Sequence, residues 1–242
     1  MSDYARTTIA YPVLSAATGM VLRDLAPVLE SVRDREKEML IRTFAEGPEQ
    51  YSKQEGVEWP SPAPSQLTQV APLHSNLALH LGLLVNDQSY DCSVLAFKVA
   101  GTVKTAPSTF LRISFPSTLT AALRGSQEFG GVVRIEESVK KELVGLFVRT
   151  AKVLAAGGFL FGPEGGGCQP FTPESLVRYL TAPAQVAAPM PFWCAGVDDA
   201  LVSRDELFRI WHPDSPLLRS GRYNILDALQ DSDDDDDDEE VN

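Results

Sequence analysis

Cysteine is scarce in this chain, long hydrophobic runs are missing, and positive charge is nowhere concentrated. The three cysteines, Cys92, Cys168 and Cys194, cannot pair evenly and lie far apart, which excludes a disulfide scaffold. Together with His74, His80 and His212 they form no CxxC, HxH or HExxH spacing, so a zinc centre has no sequence basis. No basic stripe offers itself to nucleic-acid phosphates.

No apolar run is long enough for a membrane helix. Trp59 to Asn86 is free of formal charge, but its apolar part, Leu77 to Val85, is about a third of a span. Tyr179 to Val197 is also uncharged, yet Pro183, Pro189 and Pro191 preclude a continuous helix. Near the start, Pro12 and Gly19 interrupt the uncharged stretch, and Asp3 offsets Arg6 where a leader would be positive. A cytoplasmic protein without membrane contact is the expectation.

Hydrolase and phosphate-binding motifs are missing too. No G-x-S-x-G elbow occurs. The segment Gly162-Pro163-Glu164-Gly165-Gly166-Gly167 lacks the Lys-Ser/Thr pair of a phosphate loop and carries an acid where phosphate would be repelled, so it reads as a surface loop. Cys168 beyond it has no evident base. The pairs Glu136-Glu137 and Asp198-Asp199 are sequence neighbours, which on a helix diverge by about 100° and cannot share a substrate.

What is present is a chain of 242 residues, 44% hydrophobic, sufficient for a real core. Its net charge of −12 is unevenly placed. Asp231, Asp233, Asp234, Asp235, Asp236, Asp237, Asp238, Glu239 and Glu240 supply nine of the 33 acids, leaving 24 against 21 lysines and arginines, a net of −3. We therefore expect one domain over residues 1–230 and an acidic disordered tail over 231–242. Such a tail reads as a solubilising terminus or, alternatively, as a tether for a basic partner, whose capture it would speed by electrostatic steering.

Periodicity organises the body. Thr7 to Leu14 reads as a short strand, and Val21, Leu22, Leu25, Val28, Leu29 and Val32 have helical spacing, with Pro27 marking a kink or a start. Met39 to Phe44 fits helix or strand. Gly47 to Pro72 reads as loop, with a proline-rich segment over 57–72. Alternation at Leu77 to Val85, then at Leu95, Phe97 and Val99, then at Leu111, Ile113 and Phe115, predicts a three-stranded antiparallel meander, with Asn86-Asp87-Gln88-Ser89 as the first turn.

After Pro116 the pattern predicts a short helix from Ser117 to Leu123. A longer one follows, with Ile135, Val139, Leu143, Leu146, Phe147, Thr150 and Leu154 on its apolar stripe and Gly157-Gly158 at its end. Glu136 to Lys140 and Glu137 to Lys141 should pair on its wet side. The last third reads as helix and loop, with starts at Thr172-Pro173-Glu174 and at the capping box Ser203-x-x-Glu206. Strands first and helices after them is an α+β pattern, a meander sheet packed against helices. His80 reads as a hydrogen-bonded structural histidine, and Cys92 and Cys194 as buried hydrophobes.

The segment Ser89-Tyr-Asp-Cys-Ser-Val-Leu-Ala-Phe-Lys-Val-Ala-Gly101, followed by Ala106-Pro-Ser-Thr-Phe-Leu-Arg-Ile-Ser-Phe-Pro116 and by Leu176-Val-Arg-Tyr-Leu-Thr181, resembles bacterial polymorphic-toxin immunity proteins. The resemblance covers residues 77 to 181. It implies a cytoplasmic protein that binds and blocks a cognate toxin delivered by type VI or contact-dependent secretion. Inhibition would work by occlusion or charge complementarity, with no enzymatic activity and no cofactor. Candidate contacts are Trp59, Phe161, Glu164, Phe171 and Trp193, together with the acidic tail, although Trp193 also fits a core position. Two competing classes remain. One is an enzyme working through Cys168, His212 or the Asp198-Asp199 pair; the other is a virion, adaptor or chaperone-like interaction protein.

Overall fold

The computed structural model describes residues 7–44, 57–61, 76–99, 108–116, 118–119, 124–125, 133–163, 170–183, 192–211, 217–227 and 229–231. Ten strands form one antiparallel sheet. In chain order they are β1 (Thr7–Ala10), β2 (Met39–Phe44), β3 (Val57–Ser61), β4 (Asn76–Val85), β5 (Gln88–Val99), β6 (Ser108–Phe115), β9 (Gly158–Pro163), β10 (Cys194–Asp198), β11 (Leu217–Ser220) and β12 (Tyr223–Asp227). Their spatial order is β11-β12-β10-β9-β1-β6-β5-β4-β2-β3. A second, small sheet joins β7 (Arg124–Gly125), β8 (Val133–Ile135) and β13 (Leu229–Asp231). The helices are α1 (Thr18–Val32), α2 (Glu137–Val153), α3 (Pro173–Thr181) and α4 (Arg204–Trp211).

The α+β class and the meander are as the sequence implied. β4, β5 and β6 pair consecutively, with Val85 opposite Gln88 and Val99 opposite Ser108. Asn86 and Asp87 both have positive φ, 48° and 59°, the geometry of a tight hairpin turn whose twist matches the strands. Met39 to Phe44 resolves to a strand between β4 and β3. The proline-bearing stretch read as loop opens with β3, an edge strand, where proline's missing N–H costs no ladder bond on the open side.

Two layers of helix enclose the sheet because alternate strand residues are apolar on both faces. α1 and α2 pack with Ile9, Leu79, Leu81, Val94, Ile113, Phe115, Phe159 and Phe161. On the opposite face α3 and α4 pack with Ala10, Phe110, Leu160, Ala195, Val197 and Leu226. β1 shows the division directly, with Ile9 in the first cluster and Ala10 in the second.

The last third differs most from its sequence reading. Four of the ten sheet strands, β9 to β12, lie where only helix and loop were expected. Glycine concealed them. Gly158 faces Val197 and Gly196 faces Phe159 across the β9–β10 ladder. A Cβ on Gly158 would strike the Gly196 carbonyl, and one on Gly196 would strike the Phe159 ring. These glycines permit close approach within a sheet.

Helix ends were read with mixed success. Thr172 caps α3, its hydroxyl accepting from the Ser175 N–H at 3.2 Å, and Ser203 likewise accepts from the Glu206 N–H at 3.3 Å. α1 runs through Pro27, which sits on the exposed side where water can serve the carbonyl it leaves unbonded. α2 does not include Ile135, which belongs to β8. Nor does it end at Gly157: Ala155 takes the left-handed position at φ 48°, while the Ala156 and Ala155 N–H groups close onto Ala151 and Lys152 carbonyls. Of the short helix expected after Pro116, Thr118 and Leu119 are helical, and Arg124–Gly125 is strand.

Candidate partner-binding cleft

The turn between β4 and β5 and one face of α2 enclose an open cleft of about 380 Å³. Ser31 and Val32 from the last turn of α1 form one wall, and Leu84, Val85 and Asp87 form another. Glu142, Gly145, Leu146 and Arg149 complete it, positions spaced i, i+3, i+4 and i+7 that fall on one face of α2. The Asn86 N–H donates to Glu142 Oε2 at 2.6 Å and fastens the turn to the helix. Its side-chain amide lies 3.5 Å from Glu136 Oε1, which also accepts from the Ser138 hydroxyl at 2.6 Å. Glu136 thus serves this junction.

A smaller concavity of about 170 Å³ lies between β2, β4 and β5, lined by Glu38, Leu40, His80, Gly82, Asp91 and Ser93 among others. His80 Nδ1 and Ser93 Oγ are 3.1 Å apart across the β4–β5 ladder, in keeping with a structural histidine. Lys37 Nζ reaches Asp91 at 2.7 Å, and the Asp91 carboxylate raises the lysine pKa. The lysine stem crosses Gly82, where an added Cβ would meet its Cδ at 2.7 Å. The Ser89 hydroxyl and then the Glu36 N–H hold the Asp34 carboxyl below its ordinary range.

Cys92 and Cys194 are buried free thiols, as expected of small hydrophobes. Desolvation raises both pKa values, which keeps them unreactive. Asp198 ends β10 and Asp199 follows it, and the two brace the β11–β12 hairpin, Asp198 against Arg222 at 3.0 Å and Asp199 against Arg219 at 3.5 Å and Asn224 at 2.9 Å. Among the described residues no group of three or more His, Cys, Asp or Glu could hold a metal ion. No helix there is long and apolar enough to cross a membrane.

Three of the expected contact residues are core side chains. Phe161, Phe171 and Trp193 are 0%, 7% and 6% exposed. Phe161 stacks with Phe147 at 4.8 Å and with Trp193 at 5.8 Å, and Phe171 meets Phe110 at 5.8 Å. Phe161 is unavailable as a surface anchor because β9, unseen in the sequence, carries it into the sheet. Trp59 lies in β3. Glu164, Cys168, His212 and the tail residues Asp233 to Glu240 lie outside the described residues. The cleft was missed, although Gly145 inside a helical stripe was its signal. No protein family, curated protein or solved structure matches the chain.

Proposed function

We propose that this is an immunity protein: it binds a cognate secreted bacterial toxin and neutralises it by occlusion, without chemistry of its own. The observation that carries the reading is the division of charge between a nearly balanced body and a tail that holds eight acids, Asp233 to Glu240, beyond Asp231, which the expected tail included but which belongs to β13. That division suits a two-part encounter, in which the run of acids accelerates approach and a shaped surface supplies specificity. The root of the tail favours it as well. β13 ends at Asp231, paired in parallel with Ile135 of β8, so the acids from Asp233 onward leave from a fixed point on the body. A basic toxin and a cytoplasmic site of action follow from the same reading.

Co-expression with an effector encoded beside this chain tests the role. Rescue of the host and co-purification of the two proteins are expected, and failure of both overturns it. Truncation after Asp231 preserves β13 and tests the tail. Association at low salt should slow by about tenfold or more and lose most of its salt dependence. An unchanged rate would make the tail a solubility device.

A further inference from the structure

We infer that the cleft between α1, the β4–β5 turn and α2 is the anchor pocket of the binding surface, taking one bulky apolar side chain carried beside a lysine or arginine. This rests on the proposed binding role and specifies the partner's chemistry.

Gly145 carries the argument. A glycine inside a helix costs about 1 kcal/mol relative to alanine, so its presence asks for a compensating reason. Backbone conformation gives none, since Gly145 lies in regular helix and Gly221 is the one described glycine with positive φ. Packing gives none either. Where Gly158 and Gly196 are pressed by neighbours, a Cβ built on Gly145 would meet nothing within 4 Å. What the missing side chain provides is room in the cleft wall.

The lining defines what fits that room. Val32 and Leu84 give the cleft apolar surface, Leu84 being 37% exposed, above the buried Val85 and Leu146, and Ser31, Asp87, Glu142 and Arg149 make the rest of the lining polar. Its volume of about 380 Å³ is near the lower end of ligand pockets, roughly 300–1,000 Å³. Asp87 and Glu142 stand together on the rim, and Arg149 lies two helical turns from Glu142. Glu142 gives one carboxylate oxygen to the Asn86 N–H, while Asp87 makes no hydrogen bond or ion pair with a described residue. A cation is therefore favoured on the Asp87 side and opposed near Arg149, which orients an apolar side chain with a basic neighbour.

Panning a random peptide library displayed on phage against the full-length chain provides the probe. Enriched peptides should carry a bulky apolar residue beside lysine or arginine. Gly145→Leu should weaken their binding at least tenfold while the thermal midpoint stays level or rises, because leucine is the better helix former. Gly145→Ala should change binding by less than about twofold, and Asp87→Asn should weaken it several-fold and flatten its salt dependence. No enrichment, a different peptide chemistry, or equal binding to Gly145→Leu overturns the pocket. Self-association of the wild type that Gly145→Leu abolishes would assign the cleft to a second copy and overturn the partner chemistry. An effector that rescues through Gly145→Leu as through the wild type overturns the pocket and spares the immunity role. Peptides that behave as expected without any effector rescue do the reverse.

Discussion

The two helical layers bury different things. Beneath α1 and α2 lies an aromatic cluster in which Phe147 reaches Phe115, Phe159 and Phe161 with ring centroids 6.4, 5.8 and 4.8 Å apart. Beneath α3 and α4 the aromatics run outward instead, from Tyr179 through Phe192 to Trp211 at 5.6 Å steps, the last two only half-buried. Trp211 Nε1–H donates to the Leu180 carbonyl at 2.7 Å, so a hydrogen bond ties α4 to α3. The first layer has the deeper apolar core. The second is a shorter cover on the half of the sheet built from short strands.

The largest test of that contrast is truncation at each centre. Phe147→Ala should cost about 4 kcal/mol, near the upper part of the range for buried phenylalanine, because three aromatic neighbours cannot close the void. Phe171→Ala, with Phe110 as its ring partner, should cost about 3 kcal/mol or less. Equal losses in denaturant titrations would show that the layers are matched.

A second test addresses a charge pair between α2 and the end of β12. Lys140 Nζ lies 2.9 Å from Asp227 Oδ2, the side chains being 15% and 0% exposed. Lys140 was expected on the wet face of α2, paired with Glu136. It turns instead to a carboxylate buried at the end of β12. Lys140→Met should cost about 3 kcal/mol by removing the cation beside that carboxylate, whereas Lys140→Met with Asp227→Leu should recover most of the loss. If the double variant is no better than the single one, the pair contributes more than mutual neutralisation.

How much was legible follows from the same geography. β4, β5 and β6 are long, and their apolar residues alternate, so the period of two reveals them; α2 was visible because its stripe persists over four turns. β9 and β10 are buried on both faces and interrupted by Gly158, Gly162 and Gly196, so they show neither alternation nor branched residues in a row. Two of the contacts proposed from the sequence, Phe161 and Trp193, turn out buried for that reason. Phe161 and Trp193 look exposed only if the segment around them is loop. Gly145 was legible as an anomaly, but a helical glycine acquires meaning only once the space beside it is known.

Alkaline titration gives the smallest and most selective comparison. Burial pushes the Tyr179 phenol up to about 12, and also raises Tyr11 and Tyr223 on the α1–α2 side. A phenol with a raised folded-state pKa favours folding fully below its unfolded value near 10, and that contribution is lost as pH climbs through the folded value. Stability should therefore fall between about pH 9 and 12, and Tyr179→Phe should remove only part of the slope, leaving the share due to Tyr11, Tyr90 and Tyr223 and to the buried thiols of Cys92 and Cys194. Denaturant midpoints across that window read the difference. A variant with no residual alkaline slope would place the sensitivity wholly in the α3 layer, and would break the assignment of the deeper core to α1 and α2.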